Sequence, residues 1–472
     1  MALKNRTPSA TLPFGRLAGA LAPLLVTACA HYTPQPLADK AALAPDIKSL
    51  SITPANQGGK ASGPVLFNPS DGLNLGEIAA LAALNNPDLK AQRTRLQAAD
   101  AQVFAAGLLP DPQLSYGLDK PTGDTRGLVD AWSAGIGYDI IPLITRSARR
   151  DAARQGRQQV RLDLLWQEWQ VIQQARTLAV RAQLEARRLG VLETMRALYD
   201  DRYHRSSRAL REGDITLDVN GTDLTALLDT LSQISQLEQT HNQTRHDLNL
   251  LLGLAPDAPL KLSPLPPVTD LDRGLVQRQL ARLPELRPDL LALKAGYQSQ
   301  EAAVRAAILA QFPSLGIGLT RASDTSDVHT TGISVTLTLP LLSANRGNIA
   351  IERATRSQLR TEYRARLAQA QTDVDSLLGL QKILRGQMKN LDTYLPSLKT
   401  LVDRGRTAYE RGDIDALTFL NMESTWVNKR LEEISLTQSI WETRIALGAT
   451  LALPEFPAPL PAPRAKTASD SP

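Results

Sequence analysis

The chain contains the same helical pattern twice, once in each half. The segment PDLKAQRTRLQAADAQV at 87–103 corresponds to PDLLALKAGYQSQEAAV at 288–304. The correspondence continues without a gap to Leu118 and Leu319, and it includes a proline and a glycine at equivalent positions in both copies. A long ordered repeat restricts the fold to two copies of one structural unit.

Shorter segments recur later in the same order. IPLITRSAR at 141–149 answers LPLLSANRG at 339–347, and REGDI at 211–215 answers ERGDI at 410–414. Because the order is preserved, we predict two structural repeats rather than two unrelated domains. The predicted divisions are a signal peptide (1–28), an extended arm (29–74), a first repeat (75–253), a linker (254–275), a second repeat (276–453) and a disordered tail (454–472).

The N-terminus has the pattern of a secretion signal. Basic residues precede the apolar run LAGALAPLLV at 17–26, which is too short to span a bilayer as a helix. The run ends in LVTAC, which resembles a bacterial lipobox, and Cys29 is the only cysteine. The resemblance implies cleavage before Cys29, with a diacylglycerol and an N-acyl chain on that residue. Ala30 and His31 follow it in place of aspartate, which favours the outer over the inner membrane. The alternative is an ordinary signal peptide with an incidental cysteine.

Most of each repeat has helical periodicity. The first pattern runs from 75 to 109, interrupted at Asn86-Pro87, and very long tracts follow at 145–211 and 345–408. Leucines seven residues apart in the second tract favour coiled-coil packing. Helices at 218–253 and 416–452 return along the long ones, and at 1.5 Å per residue a long helix of roughly 100 Å equals two shorter helices stacked end to end.

A different periodicity predicts strands between the helices. The segment GISVTLTLP at 332–340 alternates apolar with small or polar residues, and shorter alternating runs give about four strands in all. The predicted lipid-facing residues are Ile333, Val335, Leu337 and Leu339. About nine residues is the length of a tilted transmembrane strand, but four strands cannot close a barrel, so several chains would have to share one.

These features together resemble the TolC-like outer-membrane factor family, including its lipidated members, over about residues 73–454. The resemblance rests on the paired helices that end at Pro112 and Pro313, the alternating hairpins, the IPL and LPL strand-to-helix junctions and the Gly-Asp turns. The segment AGLLPDPQLSYGL resembles the metal-efflux branch, and a NodT-like branch is the alternative. The fold class implied is mainly α with a β-barrel part: a long antiparallel α-helical barrel plus four transmembrane strands per chain, closing a twelve-stranded barrel as a homotrimer.

The resemblance also implies partners and a place. The chain would be the outer-membrane exit of a tripartite efflux pump in a Gram-negative bacterium, with its helices in the periplasm. A periplasmic adaptor would link it to an inner-membrane transporter, most readily of RND type. The same fold serves type I secretion, and a periplasmic coiled-coil scaffold or adaptor is a further alternative. Conduction would be passive, through helical hairpins that open or close at their tips.

The tips are predicted at 211–218 and 410–417, with Gly213 and Asp214 in one turn and Gly412 and Asp413 in the other. Asp218 and Asp415 are candidate entrance carboxylates, since rings of carboxylates favour cations. Simple capping of helix starts is the alternative role for these aspartates. Positions that are usually acidic in the family hold Thr418 and Asn421 here.

Other functional classes find little support in the sequence. It contains no P-loop, GxSxG or HExxH motif, so we predict that the chain is not an enzyme and has no cofactor or metal site. The formal charge of +5 includes Lys4, Arg6 and Arg16 of the signal peptide, which leaves +5 − 3 = +2 from residue 29 onward. That balance gives no reason to expect a nucleic-acid partner.

Overall fold

A computed structural model describes residues 32–50, 72–123 and 125–453. The signal peptide, Cys29 and the tail at 454–472 lie outside the described residues. Residues 32–42 belong to a unit of their own and contain no helix or strand, while the rest of the described chain forms a second unit.

The second unit is a double series of the same elements. Each repeat has two consecutive helices, a β-hairpin, one very long helix and one return helix. The first repeat consists of α1 (Leu75–Asn85), α2 (Pro87–Gly107), β1 (Gln113–Asp119), β2 (Ala131–Asp139), α3 (Ile141–Glu212) and α4 (Leu217–Leu251). The second consists of α5 (Arg273–Leu286), α6 (Pro288–Leu309), β3 (Ser314–Ser323), β4 (His329–Thr338), α7 (Arg346–Glu410) and α8 (Ala416–Thr450). The prediction of a mainly helical chain with a β part is confirmed.

The break between α1 and α2 has a local cause. Pro87 occupies the first turn of α2, where a missing N–H has no cost, and the Asn86 side chain accepts a hydrogen bond from the Leu89 N–H at 3.0 Å. In the second repeat Arg287 replaces the asparagine and makes no such cap. Its buried guanidinium instead binds both oxygens of Asp289, at 3.0 and 2.7 Å.

The long helix α3 is the central element of the packing. It contacts α1, α2 and α4 of its own repeat and α6 and α8 of the second repeat, while α7 packs against α6 and α8. At 1.5 Å per residue α3 is roughly 110 Å long, so two shorter helices cover each of its sides in succession. The joint on the first side is closed by the Asn86 side-chain amide, which donates to the Leu251 carbonyl at 3.2 Å.

The largest apolar core lies at this joint. Leu254 and Leu262 of the linker form isolated parallel bridges with Ala44 and Leu73 of the arm, which holds both segments against the helices. Fully buried side chains fill the space between them, among them Ile78, Leu81, Leu184, Leu248 and Leu252. Gly253 ends α4 with φ +74°, and a Cβ there would lie 2.7 Å from the Asn85 carbonyl oxygen.

The four strands form one antiparallel sheet in the order β1-β2-β3-β4, so that the β2–β3 pair joins the two repeats. Leu114, Ile136, Leu319 and Ile333 stand opposite one another across all four strands. The adjacent row contains Ser115, Gly135, Thr320 and Gly332. One face is therefore mostly apolar and the other is built from small and polar residues.

Two details differ from the sequence prediction. Leu339 lies one residue beyond the end of β4, because Pro340 follows it and cannot continue the ladder. It stays exposed next to the strand. Helix α5 begins at Arg273, inside the predicted linker, where the Asp272 carboxylate accepts from the Leu275 N–H at 2.9 Å and starts the helix.

Gly253→Ala tests the helix joint. The new methyl group would meet the Asn85 carbonyl and the backbone would be strained at positive φ, so we expect a loss of about 1–3 kcal/mol in the free energy of unfolding. Gly379→Ala is the control: it lies inside α7 with open space around it and should stabilise by about 0.5–1 kcal/mol. Thermal unfolding in detergent measures both, and shifts of the same sign would contradict the role of the joint.

Candidate functional site

The two hairpin turns at the end of the long helices have the same backbone geometry. In the first tip, Gly213 adopts φ +84° and the Asp214 N–H donates to the Ala209 carbonyl at 2.9 Å. In the second tip, Gly412 adopts φ +78° and the Asp413 N–H donates to the Ala408 carbonyl at 2.8 Å. This is the glycine-dependent termination that satisfies the last carbonyls of a helix. The repeated segments REGDI and ERGDI therefore form the same type of turn.

The aspartates of the tips have different roles. Asp415 caps α8: its carboxylate accepts from the Thr418 N–H at 2.7 Å and from the Thr418 hydroxyl at 2.8 Å, and these bonds lower its pKa. Asp218 lies in the first turn of α4, where a hydrogen bond with the Thr216 side chain is the main cause of its lowered pKa.

Asp214 and Asp413 start no helix, so the alternative role of capping a helix start does not apply to them. Thr216 and Asp415 occupy the positions before α4 and α8 instead, and the Thr216 side chain makes no cap hydrogen bond. The reason is the turn itself, since the N–H of each Gly-Asp aspartate closes the preceding helix. Asp214, Asp218, Asp413 and Asp415 are all exposed and stay candidate entrance carboxylates.

A buried cluster of charges lies a few helical turns inside the tips. The Arg202 guanidinium of α3 is 3.0 Å from an Asp223 oxygen of α4 and 3.5 Å from a Glu423 oxygen of α8. The second Glu423 oxygen is 3.3 Å from the Arg406 guanidinium of α7. All four helices of the two hairpins therefore meet at one charge network, and Glu423 is only 3% exposed.

Apolar and aromatic side chains surround this network. The rings of Tyr409 and Phe419 stack at 5.4 Å, and the Arg202 guanidinium carbon lies 5.8 and 5.7 Å from their centroids. Burial raises the pKa of Glu423, and the two arginines oppose that effect. Burial, with a smaller contribution from the Glu423 charge, raises the pKa of Tyr199 to about 12.

The network is not fully satisfied. Within the described part of the chain, the Arg202 Nε and Nη1 atoms and the Glu423 Oε2 atom are buried without a hydrogen-bond partner. Buried ion pairs with incomplete hydrogen bonding add little net stability, because desolvation offsets the attraction. The arrangement can therefore hold four helices in one register without making their separation prohibitive.

Sequence reasoning missed this cluster, although a signal was present. Asp223 lies four residues before Leu227, a buried residue of α4. Glu423 lies between Leu420 and Val427, two buried residues of α8 that belong to the same apolar cluster as Leu227. A carboxylate at an apolar position of a helix needs a buried cationic partner. The sequence did not indicate that Arg202, from the other repeat, would be the partner of Glu423.

Residues 280–452 match the sequence model described as outer membrane efflux protein. The match lies in the second repeat and covers less than half of the chain. It confirms the resemblance to TolC-like outer-membrane factors. None of the described helices combines the length and apolar composition that crossing a bilayer requires.

One curated relative is the cation efflux system protein CusC of Escherichia coli O6:H1 strain CFT073, which is 26% identical over 235 residues. The match covers 47% of this chain, and the chain spans only 50% of that relative's length. Relatives of the same name from Escherichia coli O157:H7 and strain K12 are also 26% identical over 235 residues.

Solved structures share the fold over a much larger part of the chain. A CusC crystal structure superposes with a TM-score of 0.67 at 20% identity and covers 84% of this chain and 98% of its own. The Campylobacter jejuni CmeC outer membrane channel gives a TM-score of 0.67 at 17% identity and covers 87% and 94%. The arrangement of helices and strands described above is therefore that of outer-membrane efflux channels.

Arg202→Met tests the charge network inside the tips. The change leaves Asp223 without its cationic partner and Glu423 with only Arg406. The free energy of opening the hairpin ends should therefore fall by roughly 3–5 kcal/mol. Hydrogen exchange of amides in 199–206 and 420–427 measures this opening. Arg208→Met is the matched control, an exposed arginine on the same helix. Equal exchange in the two variants would contradict the assignment.

The raised pKa of Glu423 predicts the direction of a pH effect. The folded cluster binds a proton more tightly than the unfolded chain, so this stabilisation is present below the ordinary value of 4.5 and is lost as pH rises through the raised folded pKa. We compare amide protection, the observed exchange rate relative to the intrinsic rate at the same pH. Glu423→Gln should flatten the pH dependence of this protection at the hairpin ends from pH 4.5 upward. A profile as steep as that of the parent protein would assign the titration to another group.

Proposed function

We propose that this chain is the outer-membrane exit duct of a tripartite efflux pump, conducting passively what an inner-membrane transporter expels through a periplasmic adaptor. The observation that carries the proposal is the four-stranded sheet. Its apolar face is exposed, with Ile333, Val335 and Leu337 at 78, 65 and 53% exposure. A sheet of this kind has the apolar band of an outer-membrane barrel wall.

The edges of the sheet indicate the number of copies. Among the described residues, β1 and β4 each pair with a strand on one side only, which leaves a row of backbone groups without strand partners on the other. An open edge is not tolerated in lipid, and known membrane barrels have at least about eight strands. Three chains with four strands each would close twelve strands and pair every edge. A homotrimer is therefore the assembly we propose.

The second face of the sheet would line the channel. Small and polar side chains occupy it, and adjacent ones are close: a Cβ on Gly318 would lie 2.5 Å from the Ser334 hydroxyl, and one on Gly135 would lie 2.9 Å from the Ser115 hydroxyl. Larger side chains would not fit between these strands without displacing a neighbour. The face therefore stays small and hydrophilic, as an aqueous passage requires.

The helices would extend this passage away from the membrane. The long helices start directly after β2 and shortly after β4, and the return helices bring the chain back toward the joint near Gly253. The tips at Gly213 and Gly412 would face the adaptor and the transporter, for which we favour the RND type. Opening would separate the two hairpins at the Arg202 network, a rearrangement of packed helices between two states.

The anchor and the cargo belong to the same proposal. Acylation of Cys29 would fix the N-terminus to the outer membrane, with the helices in the periplasm of a Gram-negative bacterium. The name of the relative CusC supports a cation as cargo. The exposed carboxylates of Asp214, Asp218, Asp413 and Asp415 would favour cations at the entrance. The comparisons favour this reading over type I secretion, because the relatives are described as efflux proteins.

Charge substitutions on β4 test the lipid-facing assignment. Val335→Arg and Leu337→Arg place a cation on the apolar face, which costs about 2–4 kcal/mol near the middle of a bilayer. We expect both variants to reach the outer membrane poorly and to give few channels in planar bilayers.

Thr336→Arg is the matched control, since Thr336 lies between them on the opposite face of the same strand. It should insert and should alter single-channel conductance or ion preference instead. Equal insertion of all three variants would show that β4 does not face lipid. A parent protein that inserts but gives no conductance would contradict the proposed duct.

A further inference from the structure

A basic cavity lies between α2 and α3, next to the sheet. It has a volume of about 510 Å³ and is lined by Arg146, Arg150, Arg154 and Arg157 of α3. These arginines are three or four residues apart and so form one stripe along the helix. The one carboxylate in the lining is Asp100, so four guanidinium groups face a single negative charge.

The arginines of the cavity are only partly neutralised by neighbouring groups. Arg157 pairs with Asp100, and the Arg146 Nε donates to the Gly107 carbonyl at 2.8 Å. Arg154 reaches Asp151 at 3.6 Å, with both side chains about half exposed. Within the described chain Arg150 is exposed and has no ion-pair partner. An anion with several acceptor oxygens is the ligand that such a stripe recognises.

The opposite wall of the cavity is apolar. Phe104 of α2 and Leu108, the residue that follows α2, contribute to it and are 71 and 52% exposed. A free inorganic anion gains nothing from such a wall, whereas an amphiphile places its charged group on the arginines and its chains on the apolar surface. The size of the cavity is within the range of small-molecule sites.

The position along the molecule indicates the kind of amphiphile. Helix α3 begins at Ile141, directly after β2, so Arg146 and Arg150 lie roughly 8 and 14 Å from the sheet at 1.5 Å per residue. Headgroup layers occupy several ångströms on each side of the hydrocarbon core. If the sheet spans the membrane, as the proposed function requires, the first arginines lie next to the headgroups of the adjoining leaflet.

The second repeat has the same charge distribution. Residues 141–161 contain six arginines and one aspartate, and residues 346–366 contain six arginines and two glutamates. The return helix α4 is the opposite, with five acidic residues and one arginine. Basic charge is thus concentrated where both long helices leave the sheet. A neighbouring subunit that presented the start of α7 to the cavity would bring more arginine, which favours an anion as the occupant.

We propose that this cavity binds the phosphate headgroup of an anionic phospholipid of the adjoining leaflet, with the acyl chains against Phe104 and Leu108. The bound lipid would neutralise the arginine stripe and hold the junction of sheet and helices at a fixed depth in the membrane. The inference rests on the proposed membrane insertion.

The test is lipid binding to the purified full-length protein in detergent, followed by native mass spectrometry during titration with phosphatidylglycerol or phosphatidylcholine. The parent protein should prefer phosphatidylglycerol, and an excess of inorganic phosphate should not displace it. Arg150→Gln combined with Arg154→Gln should weaken phosphatidylglycerol binding by about 30-fold at low salt. Arg208→Gln combined with Arg211→Gln, the same charge loss at the far end of α3, should leave the affinity unchanged.

Three results would overturn the inference. Equal affinity of the parent protein for the two lipids would remove the charge recognition, and displacement by inorganic phosphate would assign the site to a free anion. Loss of the oligomer in the Arg150/Arg154 variant with unchanged lipid affinity would assign the cavity to a contact between subunits. Conductance of the parent protein is measured separately: channels without lipid preference refute only this inference, and lipid preference without channels refutes only the proposed function.

Discussion

Unpaired backbone groups at the edge of a sheet are the constraint on which this structure depends. In the part of the chain that the structure describes, β1 and β4 leave their outer N–H and C=O groups without strand partners, and the apolar face of the same sheet is exposed. In water the backbone groups could form hydrogen bonds, but the exposed apolar face would be unfavourable. In lipid the apolar face would be favourable, but the backbone groups would have no hydrogen-bond partners. The proposed pairing of edges between copies would resolve both, and it would make the channel a property of the assembly.

The duplication explains how one chain supports such a wall. Each repeat supplies one hairpin and one long helix, and the β2–β3 pair fuses the two hairpins into a continuous sheet. Shorter helices in succession cover the long helices, and in the first repeat α1 and α4 meet at the close joint at Gly253. At the other end, the repeats are connected by charge: Arg202 of the first binds Glu423 of the second. A packed joint in the middle and an incompletely satisfied network at the tips leave the tips as the part most able to open.

Much of this was predictable from local patterns. The period of two in 332–340 and the Gly-Asp turns depend only on adjacent residues, and the structure has a strand and two glycine-terminated helices there. Details that depend on neighbours were less predictable: the Asp214 N–H closes α3, and Asp272 starts α5 inside the predicted linker. The Arg202 network was not foreseen, because it combines side chains from distant helices that no spacing rule connects. The arginine stripe has a regular spacing on α3, but the apolar wall opposite it comes from the preceding helix across the hairpin.

The most direct measurement of the central claim is the mass of the particle extracted from outer membranes. Cells that express a tagged copy are fractionated, and the detergent-solubilised protein is weighed without heating by native mass spectrometry or light scattering. The account predicts an outer-membrane particle of three chains that dissociates to single chains on heating. A monomer that is recovered in the soluble periplasmic fraction without detergent would contradict it, because the open edges and the apolar face would then both be exposed to water.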